Sequence, residues 1–205
     1  MTERVIHAVA ALLAITNPIG AAGFFLAITE GSSRKDRVWG AFHTTFAVAL
    51  ILAGSAMFGL PMLKFFGIDL PAFKVAGGLL IVVMGLEMAR GSPSKVQGGA
   101  HHVNAIRDNM VVPLAMPIIA GPGAITTAIT LTTPVAGDKE YESVVITLVS
   151  VAISAGVLLG TLIAAAALGR FITQRMISII TRFMGLILVA IGFQLGMDAI
   201  KTFFG

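Results

Sequence analysis

Residues 110–133, MVVPLAMPIIAGPGAITTAITLTT, decide how the chain folds, and Gly121-Pro122-Gly123 lies at their heart. The stretch runs for 24 residues without a charge. At about 1.5 Å rise per residue it can cross a bilayer core of roughly 30 Å. It also carries Pro113, Pro117 and Pro122. Proline removes a backbone donor and clashes with the carbonyl four residues back, and glycine costs a helix about 1 kcal/mol. Gly-Pro-Gly therefore predicts a helix broken at the membrane midplane. Hydrocarbon satisfies none of the polar groups that such a break frees, so backbone of this kind must be packed in protein or line a polar cavity. The break is the first candidate for a functional site.

The rest of the chain has the composition of a polytopic membrane protein. Of its 205 residues 57% are hydrophobic and 12% charged, and mean hydropathy is +0.94; a soluble domain carries roughly 25% charged residues. The net charge of +4 is spread over short loops, where it orients a chain in the bilayer, and no nucleic-acid partner is expected. Cysteine is absent, which excludes disulfides, thiol chemistry and cysteine-ligated metals. The first segment turns apolar after Met-Thr-Glu-Arg but has no clear small-x-small cleavage site, so it reads as a span and not a signal peptide.

Six apolar spans follow in order. Residues 5–28 form the first, the polar turn 30–37 leads to the second at 38–60, closed by Pro61, and a short connection through Lys64 and Asp69 to Pro71 leads to the third at 72–89. Residues 90–109, RGSPSKVQGGAHHVNAIRDN, are the one long polar linker. Residues 110–133 are the fourth span, 144–168 the fifth and 183–199 the sixth, with a basic stretch at 170–182. The whole of 1–205 is expected to be a single membrane domain, with a first repeat at 1–89, a cytoplasmic linker at 90–109 and a second repeat at 110–205.

Two internal matches support that division. GLLIVVMGLEM at 78–88 aligns without gaps on GLILVAIGFQL at 185–195, so that Gly78 and Gly85 fall on Gly185 and Gly192, and Glu87 on Gln194. These glycines are expected to be packing residues, because a spacing of seven makes one smooth stripe on a helix. Ile15-Thr16-Asn17-Pro18-Ile19-Gly20 in the first span matches Ile119-Ala120-Gly121-Pro122-Gly123 in the fourth. Three spans per half make the second half enter from the opposite side. The expected fold is therefore an all-α membrane protein of six transmembrane helices in two inverted three-helix repeats, with helices 1 and 4 broken at the midplane. Alternating-access transporters hold a substrate in this way.

Basic residues on alternate sides set the orientation. Arg34, Lys35, Arg37, Arg90, Lys95, Arg107, Arg170, Arg175 and Arg182 share one side, nine in all, against five on the other: Arg4, Lys64, Lys74, Lys139 and Lys201. Both termini are then periplasmic or extracellular in a multi-pass protein of the cytoplasmic (inner) membrane, and Trp39 and Tyr141 lie at span ends.

With NPIG in the first span, AGPGAIT in the fourth and six spans in 205 residues, the chain resembles the MarC family of bacterial and archaeal membrane proteins over essentially its whole length. That family is named for a multiple-antibiotic-resistance locus. The resemblance implies transport of small neutral amino acids, since the family is grouped with neutral amino acid transporters and is related to LysE-type exporters. It fixes neither the direction of transport nor the coupling ion, protons or sodium.

The motif chemistry fits such a substrate on its own terms. Each break starts a new helix, near Ile19-Gly20 and near Gly123-Ala124, whose free N–H groups and positive dipole end favour a carboxylate. Each also leaves free carbonyls, around Ala14–Thr16 and Ile118–Ala120, that can accept from an ammonium group or bind a cation. Candidate substrate-binding residues are Thr16, Asn17, Pro18, Ile19 and Gly20 in the first span, and Ala120, Gly121, Pro122, Gly123, Ala124, Thr126 and Thr127 in the fourth. Nothing in these motifs is charged, so lysine or glutamate would be buried without a partner, whereas glycine, alanine, serine or threonine would fit.

Other polar residues admit two readings each. His43 in the second span is a candidate for proton coupling or a histidine bonded to a helix carbonyl. Glu87 is a candidate proton carrier or the partner of Arg90 three residues on. His101-His102 is an adjacent pair without a third ligand, so no metal site is expected. No nucleophile with a base, metal motif or paired intramembrane aspartates points to an enzyme. The alternatives to an amino acid transporter are a structural or regulatory membrane protein and a transporter of another small solute or ion.

Overall fold

The computed structural model describes residues 2–29, 31–91, 119–134, 140–168 and 174–204. Among these residues the elements are all helices: α1 (Thr2–Thr16), α2 (Pro18–Ile28), α3 (Arg34–Phe65), α4 (Leu70–Arg90), α5 (Pro122–Leu131), α6 (Glu140–Leu168) and α7 (Gln174–Phe204). Five stretches are long and apolar enough to cross a bilayer: Thr2–Leu26, Arg34–Phe65, Leu70–Arg90, Tyr141–Ala167 and Ser178–Thr202. The first of them runs across the junction of α1 and α2. Helix α5 has only 10 residues, about 15 Å, or half of a bilayer core; the fourth span before Ile119, the linker from residue 92 on and both of its histidines lie outside the described residues.

Local chemistry sets the ends, and in three places it differs from the sequence reading. Helix α3 begins at Arg34, inside the expected polar turn, because Ser33 caps it: its hydroxyl oxygen accepts from the Asp36 N–H at 3.2 Å. The same helix runs through Pro61 and stops a turn later. Gly67, at φ 66°, donates to the Lys64 carbonyl and Ile68 to the Leu63 carbonyl, at 3.1 and 2.9 Å, so this left-handed closure and not the proline ends the helix. Helix α7 begins at Gln174, so Arg175 and Arg182 of the basic stretch lie on a helix. Gly91, at φ 73°, closes α4.

Packing runs mainly between the two halves of the chain. Helix α4 packs on α7, α3 on α6 and α5, α1 on α6, α5 and α7, and α2 on α6 and α7. The α4–α7 contact is a backbone contact. A Cβ added at Gly78 would lie 2.6 Å from the Gly192 carbonyl oxygen, and one at Gly85 2.6 Å from the Gly185 carbonyl oxygen; the reciprocal additions at Gly192 and Gly185 meet Gly78 and Gly85 at the same distance. Only glycine lets the two helices come so close. Leu12, Phe25, Leu52, Ile81, Leu158 and Leu188 fill the interior, while Phe42, Phe46, Leu50, Phe58, Phe183 and Leu186 point outward, as a surface solvated by acyl chains requires.

Candidate functional site

Asn17 separates α1 from α2 with φ 43° and ψ 69°, the one described non-glycine residue at positive φ. Asparagine tolerates that conformation better than other L-residues because its short amide bonds locally. Here Oδ1 accepts from the Gly20 N–H at 3.1 Å and so caps α2, whose first residue is Pro18. The motif now has a physical reading. A Cβ at Gly20 would lie 2.9 Å from the Asn17 Cγ, so glycine makes room for the amide folded back over it. The helical ladder is interrupted accordingly. Pro18 has no N–H for the Ala14 carbonyl, and the Gly20 N–H, which would serve Thr16, goes to Asn17 instead. Asn17 and Thr16 are 7% and 5% exposed.

Helix α5 repeats the plan without the side chain. It starts at Pro122, its cap residue Gly121 is extended (φ −71°, ψ 177°), and no side chain among the described residues caps it. Its first intrahelical bond runs from the Ile125 N–H to the Gly121 carbonyl at 3.1 Å, so the N–H groups of Gly123 and Ala124 precede the ladder. Both residues are buried. Each short helix ends on a buried threonine that bonds backward, Thr29 to the Phe25 carbonyl and Thr132 to the Ile129 carbonyl, each at 2.7 Å. The two motifs approach one another, since a Cβ at Gly123 would sit 2.6 Å from Ile81 Cγ1 and 3.7 Å from Ile15 Cγ2.

The pattern of the MarC family integral membrane proteins matches residues 2–204. The chain belongs to the MarC family. It is 36% identical over 201 residues to a UPF0056 membrane protein of Methanocaldococcus jannaschii, covering 96% of this chain and 95% of the relative. It is 35% identical over 199 residues to one of Pyrococcus abyssi (95% and 92%). With the UPF0056 membrane protein YhcE of Escherichia coli it shares 33% over 199 residues (94% and 90%). These names state a membrane protein and no substrate. No solved structure matches the chain.

Within this MarC chain the structure brings some of the candidate residues together and places others apart. Thr16, Asn17 and Gly20 join Ile15, Ala21, Phe24 and Met88 around a cavity of about 20 Å³. That is room for about one water. Ile19 is 48% exposed and points away from the interior. Ala120, Gly121, Gly123, Ala124, Thr126 and Thr127 are buried and Pro122 half-buried, with Thr126 packed directly on Gly77 of α4. His43 lies elsewhere: its Nδ1–H donates to the Trp39 carbonyl at 2.9 Å, its ring stacks on Trp39, and it lines an open groove with Arg34, Lys35, Val38 and Phe42. Glu87 is half-buried on α4, beside the buried Met88 that lines the Asn17 cavity.

Three contributors escape the sequence reading. Met88 and Phe24 are apolar residues among many, and nothing marks them in the sequence. Ser154 is the third: it shares with Thr16 a second cavity of about 10 Å³, completed by Val48, Ala49, Leu52, Val151, Ala155 and Leu158. Its only signal in the sequence is a hydroxyl in the middle of an apolar span.

Proposed function

We propose that this MarC family protein is a secondary transporter of small neutral amino acids that works by alternating access between two inverted three-helix repeats. The observation that carries the reading is the pair of half-length helices, α2 of 11 residues and α5 of 10, each opened by a proline inside the bundle. They offer opposite chemistries. The uncapped start of α5 supplies N–H groups and a positive dipole end for a carboxylate, and the Ala14 and Thr16 carbonyls, deprived of helical donors, accept from an ammonium. Among the described residues no ionisable side chain lines the Asn17 cavity, which favours a neutral side chain on the substrate.

The inverted repeat has support beyond the sequence match. Every buried residue of α3 from Gly40 to Gly59 has a buried counterpart on α6 at a constant separation of 106 residues, from Gly40 and Ile146 to Gly59 and Ala165. The glycine contacts show the same kind of exchange, at a separation of 107 residues. Exchanging Gly78 with Gly185 and Gly85 with Gly192 turns the Gly78–Gly192 contact into the Gly185–Gly85 contact. Two antiparallel helices related in this way have a two-fold axis in the membrane plane.

The described cavity is too small for even glycine, so binding requires a wider state, which is what a carrier that opens to alternate sides must visit. The side assignment rests on the basic residues. Arg4 on α1 donates to the Ser143 hydroxyl on α6 at 3.0 Å, which puts the N-terminus and the start of the fifth span at one end, and the more basic opposite end is cytoplasmic. Labelling of Ser94→Cys by an impermeant reagent from outside would contradict that orientation. Counterflow in proteoliposomes tests the activity: external glycine, alanine, serine or threonine is expected to exchange with preloaded labelled alanine. No counterflow with any of the four, in protein shown to be folded, would contradict the reading.

A further inference from the structure

Most hydroxyls on these helices bond back to a carbonyl of their own helix. Thr16, Thr29, Ser55, Thr147, Ser150 and Thr161 all do so, at 2.7 to 2.8 Å. That is the default for a hydroxyl in an apolar medium, because the alternative is an unsatisfied polar group. Three buried hydroxyls make no hydrogen bond among the described residues: Thr45, Thr130 and Ser154. Of these, Ser154 lines a cavity. It is 3% exposed and is the central residue of the Tyr141–Ala167 span.

The cavity joins it to the Asn17 region. Thr16 lines both the Ser154 cavity and the Asn17 cavity, so the two adjoin at one residue. The walls of the Ser154 cavity come in equivalent pairs from the two halves, Val48 with Ser154, Ala49 with Ala155 and Leu52 with Leu158, again 106 residues apart. Only one member of the first pair is polar. The hydroxyl has therefore been placed on the second half opposite the half that carries Asn17, where the equivalent residue is glycine.

We propose that Ser154 is a ligand-contacting residue, the third polar wall of the site at Asn17, and that a bound small zwitterion displaces Thr16 and takes a hydrogen bond from the Ser154 hydroxyl. The proposal rests on the transport reading and deepens it. A hydroxyl keeps one donor and two acceptor sites. With the Thr16 hydrogen committed to the Leu12 carbonyl, Ser154 supplies the free hydroxyl donor on this side of the site.

The absence of cysteine makes the test direct. Ser154→Cys, nearly isosteric, is reacted in membranes with a small thiol-specific methanethiosulfonate ethylammonium reagent. Thr147→Cys, at a fully buried back-bonded position of the same helix, serves as the control. Ser154→Cys is expected to react, Thr147→Cys to stay inert, and saturating alanine to slow the reaction at least several-fold. Ser154→Ala, which removes no bond, should melt at the wild-type temperature while alanine binding weakens about tenfold. Labelling of Ser154→Cys no faster than Thr147→Cys would overturn the proposal. So would alanine that stabilises the wild type yet neither slows the labelling nor loses affinity in Ser154→Ala. If alanine fails to stabilise the wild type, the transport reading fails with it, and reactivity at Ser154→Cys alone decides whether a polar site is there for another solute.

Discussion

The two proline junctions occupy matching places in the chain and solve the same problem differently. At the first, Asn17 supplies everything locally: a residue that accepts φ 43°, an amide that caps Gly20, and a cavity beside it. At the second, Gly121 supplies only backbone, the first turn of α5 has no side-chain cap among the described residues, and the helix is packed against Ile81, Ile15 and Gly77. A capped helix end has already answered its polar groups. An uncapped one leaves them to be answered by something else, and a carboxylate is what such an end binds best. On the transport reading proposed above, the pair would divide the work, with the negative end of a zwitterion on α5 and the positive end beside α1.

The largest effect is expected away from both junctions. Gly85→Leu drives a side chain into the backbone of α7, 2.6 Å from the Gly185 carbonyl oxygen at its first atom, and should cost about 3 kcal/mol or more. Thermal unfolding in detergent reads that loss; unchanged melting with abolished substrate binding would move this glycine from the packing contact into the site. Asn17→Ala comes next, at about 2 kcal/mol, since it removes the cap and leaves alanine in the left-handed region. Asn17→Gly keeps the conformation and loses only the amide, so it should recover most of that loss. Equal destabilisation by the two variants would mean that Asn17 acts through contacts other than φ and the cap. The smallest effect has the opposite sign. Gly121→Ser gives α5 the cap that α2 already has, and should stabilise the fold by about 0.3 kcal/mol while weakening alanine binding, measured by calorimetry. Tighter binding in that variant would break the division of work between the junctions.

Much of this organisation can be read from residue types alone, because the signals are local. Gly-Pro-Gly and Asn-Pro mark junctions whatever surrounds them, and the seven-residue glycine spacing marks a face for close approach. What the chain does at Pro61 is less legible. A proline one turn from a helix end forfeits little, and the decisive signal is the left-handed Gly67, whose role depends on the bonds from its own N–H and from Ile68 back to Lys64 and Leu63. Ser154 is illegible for a different reason. A serine on an apolar helix normally bonds to its own backbone, as Ser150 does one turn earlier, whereas Ser154 makes no hydrogen bond among the described residues. His43 shows the reverse: chemically conspicuous in the sequence, it is bonded to Trp39 at the outer surface of α3.

The division between a carboxylate end and an ammonium end is tested most directly by calorimetric competition among alanine, alaninamide, lactate and lysine on the purified wild-type protein. Alanine is expected to bind. Alaninamide, which lacks the carboxylate for α5, and lactate, which lacks the ammonium for the Ala14 and Thr16 carbonyls, should each lose most of the affinity, because the complementary helix end is left desolvated and unpaired. Lysine should bind weakly for want of a partner for its side chain. Equal affinity for alanine and alaninamide, or a preference for lysine, would contradict the reading.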